Sequence, residues 1–133
     1  MTPLDLAKVI NKYRDDLKDL KVIVEPGRSL VADAGILITH LLGVKVNEAR
    51  TFLVCDASMC ECIRPCLYSA YHHIEYVKAL SEEASKESCL VDVVGPVCES
   101  GDFLGKDRFM QIPLDEFQRQ NCDVNYLAIM VMF

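Results

Sequence analysis

The sequence has no basic run and no basic face studded with aromatics. Its formal charge is −6 and its pI is near 5.0. A surface built to track nucleic-acid phosphates is excluded on those grounds. It also lacks a membrane-spanning stretch: the most apolar segment, AGILITHLLGV, is interrupted by His40 and is too short to cross a bilayer. The amino terminus carries Asp5 early and has no signal-peptide layout, so a soluble, intracellular chain is expected. Neither an internal repeat nor a low-complexity tract occurs. The cysteines do not form an even, regularly spaced set either. There are seven (Cys55, Cys60, Cys62, Cys66, Cys89, Cys98 and Cys122), which favours reduced thiols over a disulfide framework.

What is present is enough for one ordinary domain. Half of the 133 residues are apolar, so a packed core is expected rather than disorder. Thr2, Pro3 and Asp5 form a helix start of capping-box type, and Leu6, Val9, Ile10, Tyr13 and Leu17 recur at helical spacing behind it. Val22, Ile23 and Val24 read as a short strand buried on both faces, ending in a Pro-Gly turn. Helix, buried strand and polar turn are the grammar of an α/β barrel or open parallel sheet. After Arg28, SLVADA suits a short helix. GILITHLLGVKV, TFLVCDA, HHIEYVKAL, CLVDVVGPV and NYLAIMVMF read as strands of an antiparallel β-domain, with residues 81–88 as a polar loop. The expected boundary falls between Asp33 and Gly35, giving parts 1–34 and 35–133. A single helix–strand unit cannot bury both faces of its strand, so further barrel units are expected upstream.

Four groups could carry chemistry. In EPGRS, a strand end followed by Pro-Gly, Arg28 and a helix start gathers amide groups and a guanidinium as an anion site would, or else makes a simple turn with a solvated arginine. Arg64 and Tyr68 stand four apart, so on a helix they share a side and could clamp a carboxylate, or else are a surface arginine and a half-buried tyrosine, which spacing alone favours. Cys60, Cys62 and Cys66 with His72-His73 suggest zinc at first sight. C-x-C is too tight for a zinc knuckle and only one half is visible, so cysteine as a small apolar residue is favoured and no metal site is assigned. In VVGPVCESGDFLGKDR, Cys98 follows a buried strand beside Glu99 and near Asp102. Acidic neighbours disfavour a thiolate nucleophile, whereas a protonated thiol could donate a proton and Glu99 could pair with an ammonium; the alternative is a buried cysteine at a strand end with solvated acids.

Three islands, EPGRSLVADAGILITHLLGVK, IRPCLYSAYHHIE and VVGPVCESGDFLGKDR, resemble the diaminopimelate decarboxylases in order and spacing, from about Thr2 to Arg108. These are pyridoxal-phosphate enzymes of the alanine-racemase-like barrel class. The resemblance implies an α+β chain in which the last helix–strand unit of a (β/α)8 barrel precedes an antiparallel β-domain, both incomplete. It implies the decarboxylation of meso-2,6-diaminopimelate to L-lysine. Glu25, Pro26, Gly27 and Arg28 would hold the cofactor phosphate, with Arg28 also reaching the substrate. Arg64 and Tyr68 would bind a substrate carboxylate, Glu99 the distal ammonium, and Cys98 would reach across a homodimer interface as proton donor. The family's Schiff-base lysine has no counterpart here, and Tyr126 does not fall in the family's later G-A-Y motif. Where the family reads D-A-G-M-N-D-L-I-R-P, this chain reads DASMCECIRP, with Ser58, Cys60 and Cys62 substituted. The chain therefore reads as a C-terminal portion cut at both ends, inactive alone. The alternative is a non-catalytic module that pairs with full-length subunits. Cytoplasm is the expected compartment, or a plastid if a longer precursor exists.

Overall fold

The computed structural model describes residues 2–32, 34–77, 88–112 and 126–130. The chain divides into two compact units, with the division between Ala34 and Gly35.

The first unit opens with helix α1, Pro3–Lys12. Thr2 caps it reciprocally: its hydroxyl accepts from the Asp5 amide at 3.3 Å while the Asp5 carboxylate accepts from the Thr2 amide at 2.9 Å. The helix buries no residue. Residues 22–24 do not form the expected strand. A strand needs a neighbour to satisfy its amides and carbonyls, and among the described residues none pairs with this run. Ile23 is accordingly 76% exposed. The short helix expected in SLVADA is a single 3-10 turn displaced to Gly27–Leu30.

The second unit is one six-stranded sheet. Its strands are β1 Ile36–Val46, β2 Thr51–Cys55, β3 Ile74–Tyr76, β4 Ser88–Val94, β5 Phe103–Gln111 and β6 Tyr126–Met130, in the order β3-β6-β1-β2-β4-β5. Helix α2, Arg64–Tyr68, lies in the connection from β2 to β3. The sheet is mixed rather than antiparallel, because β2 and β4 run parallel, with Leu53 opposite Val93. Parallel neighbours require a long connection, and the chain between β2 and β4 includes α2 and β3. The edge strands β3 and β5 approach each other. The Tyr76 hydroxyl donates to the Gln111 carbonyl at 2.8 Å, and Ile74 Cδ1 lies 2.8 Å from where a Cβ on Gly105 would stand. The sheet thus curls into a nearly closed barrel, which protects its edges. Its core is Leu41, Leu53, Cys55, Val91, Val93, Leu104, Leu127 and Ile129, contributed at alternate positions of facing strands. The polar loop expected at 81–88 falls, up to residue 87, outside the described residues, as do the ends of two strand candidates at 78–80 and 131–133.

Strand β5 was not anticipated from sequence. Asp107 has φ 52°, and the pairing with β4 shifts register between Val91 and Val93. That bulge breaks the period-two pattern by which strands are read. Asp92, opposite it, is buried. Its carboxylate accepts from the Asp107 amide at 2.9 Å and from Arg50 Nη1 at 2.7 Å, so the bulge is held by a paired charge.

Candidate functional site

The loop from Gly95 to Asp102 joins β4 to β5 and carries Cys98 and Glu99. It is closed at its base by the Gly95 amide donating to the Asp102 carbonyl at 3.2 Å. Its tip is a succession of tight turns: Glu99 N to Val97 O at 2.8 Å, then Asp102 N to Glu99 O at 3.0 Å. Cys98, Glu99 and Ser100 are exposed on that tip. Among the described residues, the Glu99 carboxylate accepts only a long bond, 3.3 Å, from the Gly101 amide, leaving it open to a cationic group.

Asp102, near Cys98 in the sequence, has its carboxylate bound to backbone amides. It is 4% exposed, and its two carboxylate oxygens accept from two separate segments. Oδ1 takes the Met59 amide at 2.7 Å and Oδ2 takes the Val97 amide at 2.7 Å. One carboxylate therefore ties the turn after β2 to the cysteine loop with two short, charge-assisted bonds. Gly95 is required beneath it. A Cβ there would stand 2.5 Å from Asp102 Oδ2 and 2.7 Å from the Ser58 Cα.

The turn that Asp102 holds is itself well fastened. The Ser58 amide and hydroxyl both donate to Glu61 Oε2, at 2.8 and 2.7 Å, and these bonds hold the Glu61 carboxyl below its usual range. Upstream, the Thr39 hydroxyl donates to Asp56 at 2.6 Å and the His40 amide donates to the same oxygen at 2.8 Å. The Thr39 bond is the larger cause, and the Asp56 carboxyl is depressed. From this turn the chain enters α2, with Pro65 in its first turn and Ser69 in the left-handed conformation at its end. The guanidinium of Arg64 lies 5.4 Å from the Tyr68 ring centre, so the helix does place these two on one side. Arg64 Nε is buried with no hydrogen-bond partner among the described residues, and Tyr68 is exposed. A half-buried cation with a spare donor beside a phenol is suited to a carboxylate.

The structure thus brings Arg64 with Tyr68 and Cys98 with Glu99, and fastens the two pairs' segments to each other through Asp102. A groove of about 590 Å³ beside the loop is edged by Glu99 and Ser100 and by Lys45, Arg50 and Lys106; neither Cys98 nor the Arg64–Tyr68 pair lines it. Among the described residues, no group of three or more His, Cys, Asp or Glu side chains is placed to hold a metal ion. No helix among them is long and apolar enough to cross a membrane. Two of the cysteines are internal: burial pushes the Cys55 thiol up to about 12 and raises Cys62 as well.

Glu25, Pro26, Gly27 and Arg28 lie in the first unit, all exposed. Gly27 has φ 54°, with nothing within 4 Å of where a side chain would stand. This left-handed, open backbone beside a guanidinium fits the phosphate end of a cofactor, and offers no walls for a ring. Asp102 as a clamp and the Arg50–Asp92–Asp107 cluster were both missed by sequence reasoning, since each joins residues far apart in the chain.

Comparison with known proteins agrees on one lineage. A family model described as "Pyridoxal-dependent decarboxylase, C-terminal sheet domain" matches residues 9–119. The chain is 49% identical over 114 residues to a rice protein named "Probable diaminopimelate decarboxylase, chloroplastic", covering 84% of this chain and 22% of that one. It is 41% identical over 128 residues to the diaminopimelate decarboxylase of Aquifex aeolicus, covering 96% and 27%. The solved diaminopimelate decarboxylase of Helicobacter pylori, complexed with L-lysine, superposes with a TM-score of 0.73 at 37% identity, covering 96% of this chain and 28% of that one. The chain spans about a quarter of the length of these relatives. It belongs to the pyridoxal-dependent decarboxylase family, as the C-terminal sheet domain, and among the members of that family it resembles the diaminopimelate decarboxylases.

Proposed function

We propose that this chain forms the substrate-recognising side of a diaminopimelate decarboxylase site, acting on meso-2,6-diaminopimelate to give L-lysine and carbon dioxide. The observation that carries this reading is the Asp102 clamp, which fastens the segment leading to Arg64 and Tyr68 to the loop bearing Cys98 and Glu99. Diaminopimelate carries an ammonium and a carboxylate at each end. A site for it needs a cation with a hydroxyl for a carboxylate, and an anion set apart for the far ammonium. Arg64 and Tyr68 serve as the first and Glu99 as the second. The Cys98 thiol, exposed at the loop tip, returns a proton to the carbon that has lost carbon dioxide.

The family cofactor, pyridoxal phosphate, supplies when bound the electron sink that makes that loss feasible. Glu25, Pro26, Gly27 and Arg28 contribute the turn that receives its phosphate, and Arg28 extends toward the substrate. No lysine here is assigned to the Schiff base, so the 133 residues alone are expected not to decarboxylate. The barrel that carries that lysine completes the site, with Cys98 reaching across a homodimer or into a full-length partner subunit.

The test is an absorbance scan of the purified chain with pyridoxal phosphate, before and after borohydride, beside a lysine assay with diaminopimelate. No specific reducible band and no lysine are expected. A stoichiometric band with lysine formation would show that a lysine of this chain does the work assigned to another segment.

A second reading, a dimerisation module without catalysis, is favoured by one observation. Leu90 and Phe109 are cross-strand partners of β4 and β5, yet are 60% and 74% exposed. Such an apolar pair suits a covered interface.

A further inference from the structure

The site described above gives Cys60 no task. Its position relative to Cys98 is constrained by two successive ties between the loops that carry them. At the first, the Ser58 Cα lies 2.7 Å from where a Cβ on Gly95 would stand, so the two backbones are in direct contact. At the second, the amides of Met59 and Val97 donate to the two oxygens of the single Asp102 carboxylate, each at 2.7 Å. The residue after Met59 is Cys60 and the residue after Val97 is Cys98. Among the described residues these two are the exposed thiols. Cys55 and Cys62 are buried, Cys66 and Cys89 are half-buried, and Cys66 donates its thiol to the Ile63 carbonyl at 3.0 Å.

We propose that Cys60 and Cys98 form a redox pair, closing to an intrachain disulfide under peroxide and reopening with a thiol reductant. A disulfide needs its Cα atoms within about 4.4–6.8 Å, and the ties at the residues just before Cys60 and Cys98 hold their two segments together at this point. In the first step the ionised fraction of one of the two thiols attacks a peroxide oxygen. The S–O bond forms, the O–O bond breaks, and the departing hydroxide takes up a proton as water. In the second step the other thiolate attacks that sulfur. The S–S bond forms, the S–O bond breaks, and hydroxide again leaves as water after protonation. Two thiols lose two electrons and one peroxide becomes two waters. Two of the competing thiols are disfavoured, since burial raises both Cys55 and Cys62 and so lowers their thiolate fraction. The functional consequence, withdrawal of the proton donor on oxidation, rests on the reading of Cys98 given above. The linkage itself does not.

The experiment is peptide mapping of the purified 133-residue chain after one equivalent of hydrogen peroxide, with the remaining thiols alkylated before digestion. Cleavage after Glu61 separates Cys60 from Cys62 and Cys66, so the bridge can be placed unambiguously. The expected result is a monomeric product that has lost two thiols, contains a peptide joining Cys60 to Cys98, and regains both thiols with dithiothreitol. The Cys60→Ser chain is expected instead to accumulate a dimedone-reactive sulfenic acid at Cys98. Over-oxidation of Cys98 in the unmodified chain without a bridge, a bridge to another cysteine, or a bridge between two chains would each overturn the proposal. Because the readout is covalent mapping, a negative result here is distinct from failure of the decarboxylase reading.

Discussion

At the scale of single residues, the account turns on carboxylates whose partners are backbone amides. Gly95 tests the first of them. Any side chain at this position collides with the Asp102 oxygens and with the Ser58 backbone, and only the former can shift. Gly95→Ala is expected to cost about 1–3 kcal/mol, the usual range for forcing a methyl into a filled space, seen as a lowered urea midpoint with an unchanged slope. Asp56 gives the second test. Its folded carboxyl is depressed by the Thr39 hydroxyl and the His40 amide, so the ionised form is favoured in the native state. The stability this contributes is full above the ordinary aspartate value, roughly pH 4, and is lost as the pH falls through the lower, folded value. The melting temperature of the native chain should therefore drop more steeply below about pH 4 than that of Asp56→Asn, with the two curves parallel above it. Equal slopes throughout would mean that these bonds do not favour the charged form.

At the scale of elements, short pieces are set by their ends. Helix α2 has five residues and closes on Ser69 at φ 52°, a conformation that disfavours a residue with a Cβ. Ser69→Gly is expected to stabilise the domain by roughly 0.5–1 kcal/mol, the ordinary gain when a left-handed cap becomes glycine, measurable by urea unfolding. A loss of stability would mean that the serine side chain holds something in place. The elements also show what could be read from sequence. The runs around Ile36, Thr51, Cys89 and Tyr126 announce strands because β-branched and aliphatic residues concentrate there. Helix α1 announces itself through its capping box. Strand β5 stays hidden because its bulge at Asp107 breaks the alternation, and the parallel β2–β4 pair because no local signal reports a partner beyond a long crossover. The run Val22–Val24 misleads for a related reason, since strand propensity is not a strand without a neighbour to pair with. The candidate site was legible as types and spacing, Arg64 with Tyr68 and Cys98 with Glu99. The clamp was not, because Asp102 and Met59 stand 43 residues apart.

At the scale of the whole molecule, the sheet unit has a buried core and a curled, edge-protected form, while the first unit keeps most apolar side chains at its surface. Leu90 and Phe109 add an apolar pair on the outside of the sheet. Replacing both with serine is expected to reduce self-association in analytical ultracentrifugation while leaving the circular dichroism unchanged. Unaltered sedimentation of an associating chain would assign the contact to other residues.

The central claim is that these residues recognise diaminopimelate and return a proton to its product when a cofactor-bearing barrel accompanies them. The direct test is a chimera in which the aligned stretch of the Aquifex aeolicus decarboxylase is replaced by this chain, assayed for lysine formation. The account predicts an active chimera, within about tenfold of the parent, that loses on the order of a hundredfold or more in kcat on Cys98→Ala, the usual range for removing a positioned proton donor. On Glu99→Gln it predicts weakened substrate binding, with KM rising more than kcat falls. A folded chimera that binds pyridoxal phosphate yet is inactive, or one indifferent to Cys98→Ala, would contradict it.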